Sequence, residues 1–319
     1  DLEYLDEENE VIYFTAAGKE TGINPYLQFL YRVNYDGSEH RLLTPEDANH
    51  MVDIAPDGRY IVDNYSRLDQ PAISVIRNAL DGEVLLEIDK TDISPALDIG
   101  WQTPVSFKVK ASDDKTDIYG ALWLPSNLDR RKSYPVIDNS YTGPHTTVYP
   151  KSFSQVVHGS EKQSLAELGF IVMVVDGRGS AMRSKEFHDH SYGRLGFSLQ
   201  DHIAAIEQLS EMYSWIDKSR VGIYGHSAGG YDAAHALLQY PDFYKVAVSS
   251  SADHDHRMEK AWWPEMYMGW PVDSAFDLQS NITMAGHRWG KLLIPLGGID
   301  EDVNPSAGFN LAEAVSRGD

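Results

Sequence analysis

The segment GHSAG, residues 225–229, places a serine between two glycines. Such a pentapeptide marks a nucleophilic serine when it joins a strand to a helix, because that sharp turn holds the hydroxyl out at the edge of a sheet. Here an apolar run, 221–224, precedes the pentapeptide, and a stretch with helical spacing, 230–239, follows it. This context predicts that Ser227 is a nucleophile for acyl transfer rather than an incidental serine in a glycine-rich turn.

The same turn predicts a way to stabilise the negative charge that develops during acyl transfer. The backbone N–H of Ala228 lies at the start of the predicted helix, where unpaired N–H groups and the helix dipole favour an anion. Gly225 and Gly229 remove the Cβ atoms that would clash in so sharp a turn. We therefore expect Ala228 to donate to the oxyanion.

A serine hydroxyl is a weak nucleophile and needs a base, which in this arrangement is a histidine that follows an acid along the chain. Asp300 comes after an apolar run, 292–296, and two glycines, so we expect it to be the acid. Glu301 and Asp302 are alternative acids. The three carboxylates together could instead form a solvated loop or a weak cation site.

All twelve histidines precede Asp300. The chain order therefore predicts that the catalytic histidine lies beyond the sequence, that the chain is a fragment, and that it is nearly inert by itself, since a triad without one member loses most of its catalysis. His254 and His256 alternate with Asp253 and Asp255. Because successive residues point to opposite sides of an extended chain, the two histidines would face away from the two aspartates, so we interpret these four as polar loop residues and predict no metal site.

Two patterns divide the chain. Residues 1–98 contain short strands about ten residues apart, separated by Asp-Gly turns, and the stretch MVDIAPDGRYIVDNYS is typical of a propeller blade. Only one to two blades fit, which predicts the C-terminal part of a β-propeller domain. Residues 99–319 alternate strands with helices, which predicts an α/β domain with a mainly parallel sheet covered on both faces.

Composition limits the partners. Lysine and arginine number 27 against 48 aspartates and glutamates, giving a net charge of −21, and cysteine is absent. Nucleic acids and anionic membrane surfaces attract basic proteins, so the charge argues against both. No apolar run approaches the roughly 18 residues of a membrane span. The lack of cysteine excludes disulfides and thiol nucleophiles.

Six segments in one order resemble the prolyl oligopeptidase family of serine peptidases, and most closely its dipeptidyl peptidase IV branch: YPVIDNSYTGP, VVDGRGS, LQDHIAAIEQL, YGHSAGGYD, EMYMGWP and GGIDEDVNP. The resemblance implies an α/β-hydrolase domain, incomplete at its C-terminal end, after the last strands of a β-propeller. It implies a peptidase that acts on peptide substrates through an acyl-enzyme, needs no cofactor, and releases N-terminal dipeptides after proline or alanine.

The resemblance also assigns roles. Ser227 is the acylated nucleophile, Asp300 orients the histidine, and the hydroxyl of Tyr141 joins the N–H of Ala228 in the oxyanion hole. The alternative for Tyr141 is a buried aromatic residue at the end of a strand.

The small apolar pocket for proline falls, by the same resemblance, on Trp262, Trp263 and Val303, for which ordinary core packing is the alternative. The chain departs from the family at Ala228, where an aromatic residue is usual, at Asp302, where asparagine is usual, and at Trp263, where tyrosine is usual. These departures weaken the inference of a strict proline preference.

The glutamates that bind a substrate's free amino terminus in dipeptidyl peptidases belong to a propeller region absent from this sequence. An acylaminoacyl peptidase, another serine hydrolase, and a non-catalytic binding protein on the same fold therefore stay open. Relatives are often dimers and bacterial ones are often exported, so the resemblance implies a possible homodimer and favours a periplasmic or secreted location.

Overall fold

The computed structural model describes residues 1–158, 160–286 and 290–317. The chain forms two compact units: the first comprises Asp1–Val105 and Pro150–Ser160, and the second comprises Ser106–Tyr149 and Glu161–Asp319. The sequence pattern predicts one division, at residue 98. In the structure the chain passes from the first unit to the second and returns for residues 150–160, an excursion without any marker in the sequence.

The first unit is built from two four-stranded antiparallel sheets. The burial pattern of β2 shows how these strands pack: Val11, Tyr13 and Thr15 are buried, and the residues between them are only partly covered. Such alternation is expected for a strand with one face in a core. The strands are β1 (Leu2–Asp6), β2 (Val11–Ala17), β3 (Gln28–Asn34) and β4 (Arg41–Leu42) in one sheet, and β5 (Asn49–Ile54), β6 (Tyr60–Arg67), β7 (Gln70–Asn78) and β8 (Val84–Lys90) in the other.

The stretch that predicts a propeller blade forms the hairpin of β5 and β6. Gly58 in its turn has φ +66°, a left-handed conformation that glycine adopts without strain. Its N–H donates to the carbonyl of Ala55 at 2.8 Å and closes the turn. Two short helices, α1 (Ser94–Asp98) and α2 (Phe153–His158), complete this unit.

One buried ion cluster holds the second sheet of this unit. The Nε atom of Arg77 donates to Asp63 at 2.8 Å, and His50 contacts the same carboxylate through Nδ1 at 2.9 Å. Another guanidinium nitrogen of Arg77 donates to Glu46 at 2.7 Å. Among the described residues, Glu46, His50 and Asp63 are the one group of acidic and histidine side chains close enough to share a metal ion, but the arginine already pairs with both carboxylates.

The second unit is built around a seven-stranded sheet whose strand order is β15-β14-β13-β11-β12-β10-β9. The strands β11 to β15 run parallel, and β10 pairs antiparallel with β12. Every residue of β12 is buried, as expected for a strand covered on both faces. The strands are β9 (Val105–Lys110), β10 (Asp117–Trp123), β11 (Tyr134–Asn139), β12 (Ile171–Asp176), β13 (Ile216–His226), β14 (Tyr244–Ser250) and β15 (Lys291–Leu293).

Helices connect the parallel strands. The apolar stripes of α5 and α6 pack into the main core through residues such as Leu199, Ile206 and Leu237. The helices of this unit are α3 (Ser160–Glu167), α4 (Lys185–His188), α5 (Leu199–Met212), α6 (Ala228–Gln239), α7 (Trp262–Tyr267), α8 (Ser274–Leu278), α9 (Asn281–Met284) and α10 (Ser306–Arg317). In the part of the chain that the structure describes, none of the helices has the length and apolar character needed to span a membrane.

The parallel strands determine where the predicted site residues lie. The carboxyl ends of β11, β13 and β15 meet at one edge of the sheet, because parallel strands all point the same way. Tyr141, Ser227 and Asp300 follow these three strands along the chain. The fold thus brings residues from distant parts of the sequence to one edge.

Candidate active site

Ser227 sits in the tight turn between β13 and α6. Its backbone has φ +57° and ψ −122°, a conformation that costs free energy for any residue with a Cβ and that persists where the surroundings over-determine it. Its N–H donates to the carbonyl of Ser250 at 2.9 Å, and its carbonyl accepts from the N–H of Tyr231 at 3.0 Å. The turn is the strand–turn–helix arrangement that the sequence predicts.

The two glycines of the turn are needed because the chain after β11 passes directly against it. A Cβ atom on Gly225 would lie 2.6 Å from the carbonyl oxygen of Ser140, and one on Gly229 would lie 2.1 Å from the same atom. Both separations are far below van der Waals contact. The turn that carries Ser227 and the segment that leads to Tyr141 are therefore packed backbone against backbone.

Two groups able to donate hydrogen bonds lie beside Ser227. Tyr141 and Ser227 line the same cavity, and burial raises the pKa of the tyrosine above its ordinary value while its interaction with Ser227 lowers it. The phenol stays protonated at neutral pH and can donate. Ala228 is the first residue of α6, where backbone N–H groups have no partner within the helix.

A cavity of about 160 Å³ opens beside Ser227. Trp262 is 55% exposed and Val303 is 8% exposed, so Trp262 is not a core residue, whereas Val303 forms part of the buried wall. Every site residue predicted from the sequence lines this cavity except Asp300: Tyr141, Ser227, Ala228, Trp262, Trp263, Asp302 and Val303.

Aromatic rings form one wall of the cavity. The ring of Trp263 meets that of His145 edge to face at 5.0 Å between centroids, and His145 meets Tyr141 at 5.8 Å. Trp262 packs perpendicular to Trp263 at 5.8 Å, and Tyr267 lies behind it at 4.7 Å. These edge-to-face contacts give the wall an aromatic, apolar character suited to a small apolar side chain.

Asp300 lies in the neighbouring loop and lines a separate cleft with Ser251 and Val303. Its Oδ1 accepts the backbone N–H groups of Val303 at 2.9 Å and Asp302 at 3.0 Å. These two bonds, together with weaker contributions from Ser251 and His226, hold the pKa of the Asp300 carboxyl below its ordinary value. The carboxylate is thus ionised and held in place at the sheet edge, but it does not reach the cavity.

Asp302, the third carboxylate-bearing residue of that loop, is paired with a cation. Its Oδ1 accepts from Nζ of Lys260 at 2.6 Å, and its backbone carbonyl accepts from the same nitrogen at 2.9 Å. Lys260 also contacts Glu259 at 2.8 Å. The side chain of Asp302 is 76% exposed, so this pair lies at the rim.

Several residues of the site carried no sequence prediction. His145, Glu259 and Lys260 line the cavity, as does Asp232, which belongs to a quoted motif but was not assigned a role. Asp232 is 1% exposed, and its one sequence signal is an acidic residue in an otherwise apolar stretch of helix.

The alternating segment Asp253–His256 is a loop, as interpreted, but all four of its residues are buried. His256 contacts Asp253 through Nδ1 at 2.6 Å, and His254 lies 3.2 Å from the amide nitrogen of Asn281. The segment is thus held by a hydrogen bond within itself and by a contact to helix α9.

Two patterns from known protein families match this chain, one in its N-terminal part and one in its C-terminal part. The "Prolyl oligopeptidase family" pattern matches residues 156–319, and the "Dipeptidyl peptidase IV (DPP IV) N-terminal region" pattern matches residues 1–72. The first match covers half of the chain. The chain belongs to the prolyl oligopeptidase family. The predicted fold class is confirmed: β-propeller strands followed by an α/β-hydrolase domain.

Named relatives of this family member are dipeptidyl peptidases. The chain is 27% identical to human dipeptidyl peptidase 8 over 94% of its own length and 34% of the relative's. It is 28% identical to venom dipeptidyl peptidase 4 of Vespula vulgaris over 99% of its length and 42% of the relative's. The chain therefore spans well under half of these relatives.

A solved structure shares the fold. The crystal structure of Porphyromonas gingivalis dipeptidyl peptidase 4 superimposes with a TM-score of 0.86 at 21% identity, covering 99% of this chain and 44% of that one. At this identity the likeness establishes the fold alone. Family membership is therefore what the comparisons establish for this chain.

Proposed function

We propose that the full-length protein carrying this chain is a serine peptidase that releases dipeptides from the amino termini of peptides, after proline or alanine. One observation supports the proposal above the others: Ser227, in a strained turn at a helix start, lines one cavity together with Tyr141, whose hydroxyl can donate. A nucleophile with an adjacent donor is what acyl transfer requires.

In the proposed reaction, Ser227 Oγ attacks the carbonyl carbon of the scissile peptide bond and its proton passes to a general base. The carbonyl oxygen becomes an oxyanion that accepts from the hydroxyl of Tyr141 and the N–H of Ala228. Collapse expels the amine, which takes the proton from the base, and leaves an acyl-enzyme. Water then attacks the ester by the same route and restores Ser227.

The carboxylate of Asp300 is the proposed partner of that base. Its lowered pKa keeps it charged at neutral pH, so it can orient an imidazole and stabilise the imidazolium that forms during the reaction. Glu301 and Asp302 suit this role less well, because Asp302 is paired with Lys260 and Glu301 is exposed.

The proposed preference for proline or alanine follows from the cavity wall. Trp263 and the buried side of Val303 present apolar surface beside Ser227, which favours a compact apolar side chain over a charged one. The charged groups at the rim of the cavity, Lys260, Asp302 and Glu259, are already paired with one another.

Cleavage of Gly-Pro-p-nitroanilide, compared with cleavage of its N-acetylated form, tests the proposal in the full-length protein. We expect release of p-nitroaniline from the free form only, because removal of a dipeptide requires recognition of a charged amino terminus. Equal or faster cleavage of the acetylated form would contradict dipeptide release and would indicate an acylaminoacyl peptidase or an endopeptidase.

A further inference from the structure

Asp232 is a buried carboxylate directly below the catalytic edge. It lies on α6, the helix that begins immediately after Ser227, and its side chain is 1% exposed. It accepts the backbone N–H of Thr142 at 2.7 Å and the hydroxyl of Thr142 at 2.6 Å. It also accepts the hydroxyl of Ser140 at 3.1 Å. Ser140 and Thr142 are the two neighbours of Tyr141.

No lysine or arginine pairs with this carboxylate. In the described ranges 1–158, 160–286 and 290–317, neither residue type forms an ion pair with Asp232. Burial raises the pKa of Asp232 to about 6, although the bonds to Thr142 and Ser140 and the charge of His202 lower it. Asp201, which is equally buried, is paired with Arg178 at 2.8 Å, and its pKa is lowered. A buried carboxylate without a directly paired cation costs free energy, which favours a role for Asp232 other than general stability.

The bonds of Asp232 lock the segment 140–142 onto the nucleophile turn. The carbonyl of Ser140 already fills the space that Gly225 and Gly229 leave open, and Ser140 donates its N–H to the carbonyl of Tyr224 at 3.0 Å. The carboxylate of Asp232 adds hydrogen bonds to Ser140 and Thr142, on both sides of Tyr141. The backbone of Tyr141 is thereby fixed relative to the helix that starts at Ser227.

We infer that Asp232 is a positioning residue for acyl transfer: by holding Ser140 and Thr142 it keeps the Tyr141 hydroxyl beside Ser227. This inference rests on the proposed function. It places Asp232 in a role that acts entirely through Tyr141, and it predicts that the two residues contribute to one step rather than to two.

A double-mutant cycle tests this. In the full-length protein, Tyr141→Phe removes the donor itself and should lower kcat by about 10²- to 10³-fold. Asp232→Asn frees the segment and should lower kcat by about 10- to 100-fold with KM changed by less than about threefold, because a displacement of about 1 Å is enough for such a loss. The double variant should be no slower than Tyr141→Phe, within about threefold.

Two further variants control for stability. Asp201→Asn removes a carboxylate that is as deeply buried but bonds Ser112 and Arg178, and it should leave kcat per active site unchanged. Thr142→Val removes the shortest bond of Asp232 and decides the matter if Asp232→Asn does not fold. It should lower kcat in the wild-type background and not in the Tyr141→Phe background. Active sites are counted by titration with a fluorophosphonate.

The outcomes separate the two proposals. Losses from Asp232→Asn or Thr142→Val that multiply with the loss from Tyr141→Phe would overturn the positioning role, because the residues would then act independently. A change confined to KM would overturn it as well. A wild-type protein that no fluorophosphonate labels would overturn the proposed function and this inference together. If the protein is labelled but releases no dipeptide, the labelling rates of the same single and double variants decide the positioning role by the same criteria.

Discussion

The turn that carries Ser227 and the loop that carries Asp300 lie at the same edge of the sheet but are built differently. At the turn, backbones touch: the space for a Cβ on Gly229 is already taken by the carbonyl of Ser140. At the loop, Gly298 has nothing within 4 Å of the corresponding position, and the next residue, Ile299, is 92% exposed. The turn is held by packing from several elements, whereas the loop is held by hydrogen bonds within its own backbone and by the bonds of Lys260 to Asp302.

The difference shows how the two groups proposed to be catalytic are fixed. The position of Ser227 depends on strands β11, β13 and β14 and on helix α6, so it cannot move without the sheet. The position of Asp300 depends mainly on two N–H groups within its own loop, with a smaller contribution from Ser251. A group held in this local way can adjust to its partner, while the nucleophile is rigid.

The largest effect should come from the turn. Ser227→Ala should lower kcat about a millionfold in the full-length protein and abolish fluorophosphonate labelling, because the attacking atom is gone. The melting temperature should change little, since the small side chain makes no buried contact that packing requires. Labelling that persists in this variant would place the nucleophile elsewhere and break the comparison.

The next effect should come from the charge of the loop. Asp300→Asn keeps an Oδ1 atom for the two backbone N–H groups, so the loop should stay folded, but the charge that orients the base is lost. We expect kcat to fall about 10⁴-fold with an unchanged melting temperature. Glu301→Gln, which alters the adjacent exposed carboxylate, is the matched control and should retain activity. The reverse pattern would assign the acid to Glu301.

A pair of glycine substitutions compares the two regions directly. Gly229→Ala should destabilise the protein by roughly 3 kcal/mol or more, because the added methyl overlaps a backbone oxygen and neither can move freely. Gly298→Ala adds the same methyl in open space and should change the free energy of unfolding by less than about 0.5 kcal/mol. Urea denaturation monitored by tryptophan fluorescence measures both. Similar losses in the two variants would mean that the loop is as tightly packed as the turn.

Helix α6, which begins at the turn, should also make the stability of the protein depend on pH. Burial lowers the pKa of His235, on α6, to about 4, below the ordinary value near 6.5. The unfolded chain therefore takes up this proton first as the pH falls from 6.5 to 4, and stability is lost in that window. Asp232, whose pKa is raised to about 6, has the opposite sign there.

His235→Gln isolates this contribution. The variant should lose less stability than the wild type between pH 7 and pH 4.5, by about 2 kcal/mol, because one buried group no longer has to remain uncharged. His40→Gln, which changes an exposed histidine of the first unit, should lose as much as the wild type. Equal losses of stability in all three proteins would show that His235 does not cause the pH dependence.

The sequence alone leads to the site residues that depend on local order along the chain. Ser227 and Ala228 are expected from a contiguous strand, turn and helix, and Asp300 from a strand end, whereas Tyr141 is expected only from the family resemblance. The role of Asp232 could not be predicted, because its partner Thr142 is 90 positions away and the two meet only when β11 lies beside β13. That neighbourhood is a property of the sheet order, which no local pattern encodes.

Two other features depend on distant contacts in the same way. The polar residue types alone do not reveal that the segment Asp253–His256 is buried, since burial of a histidine or aspartate requires partners such as Asn281 and Ser280 from other elements. The separation of Asp300 from the cavity likewise reflects the path of its loop. Residue types predict which groups do chemistry, and packing decides how far apart they stand.

The strand order has a consequence for how such a site originates. From β11 the chain crosses to β12 on one side, and from β13 it proceeds to β14 and β15 on the other. Because crossovers between parallel strands are right-handed, the helices on these two paths lie on opposite faces of the sheet, and the carboxyl ends of β11 and β13 are left uncovered between them. A crevice at this position is therefore topologically unavoidable, so new substrates can be accommodated by exchanging the loops around it while the sheet stays unaltered.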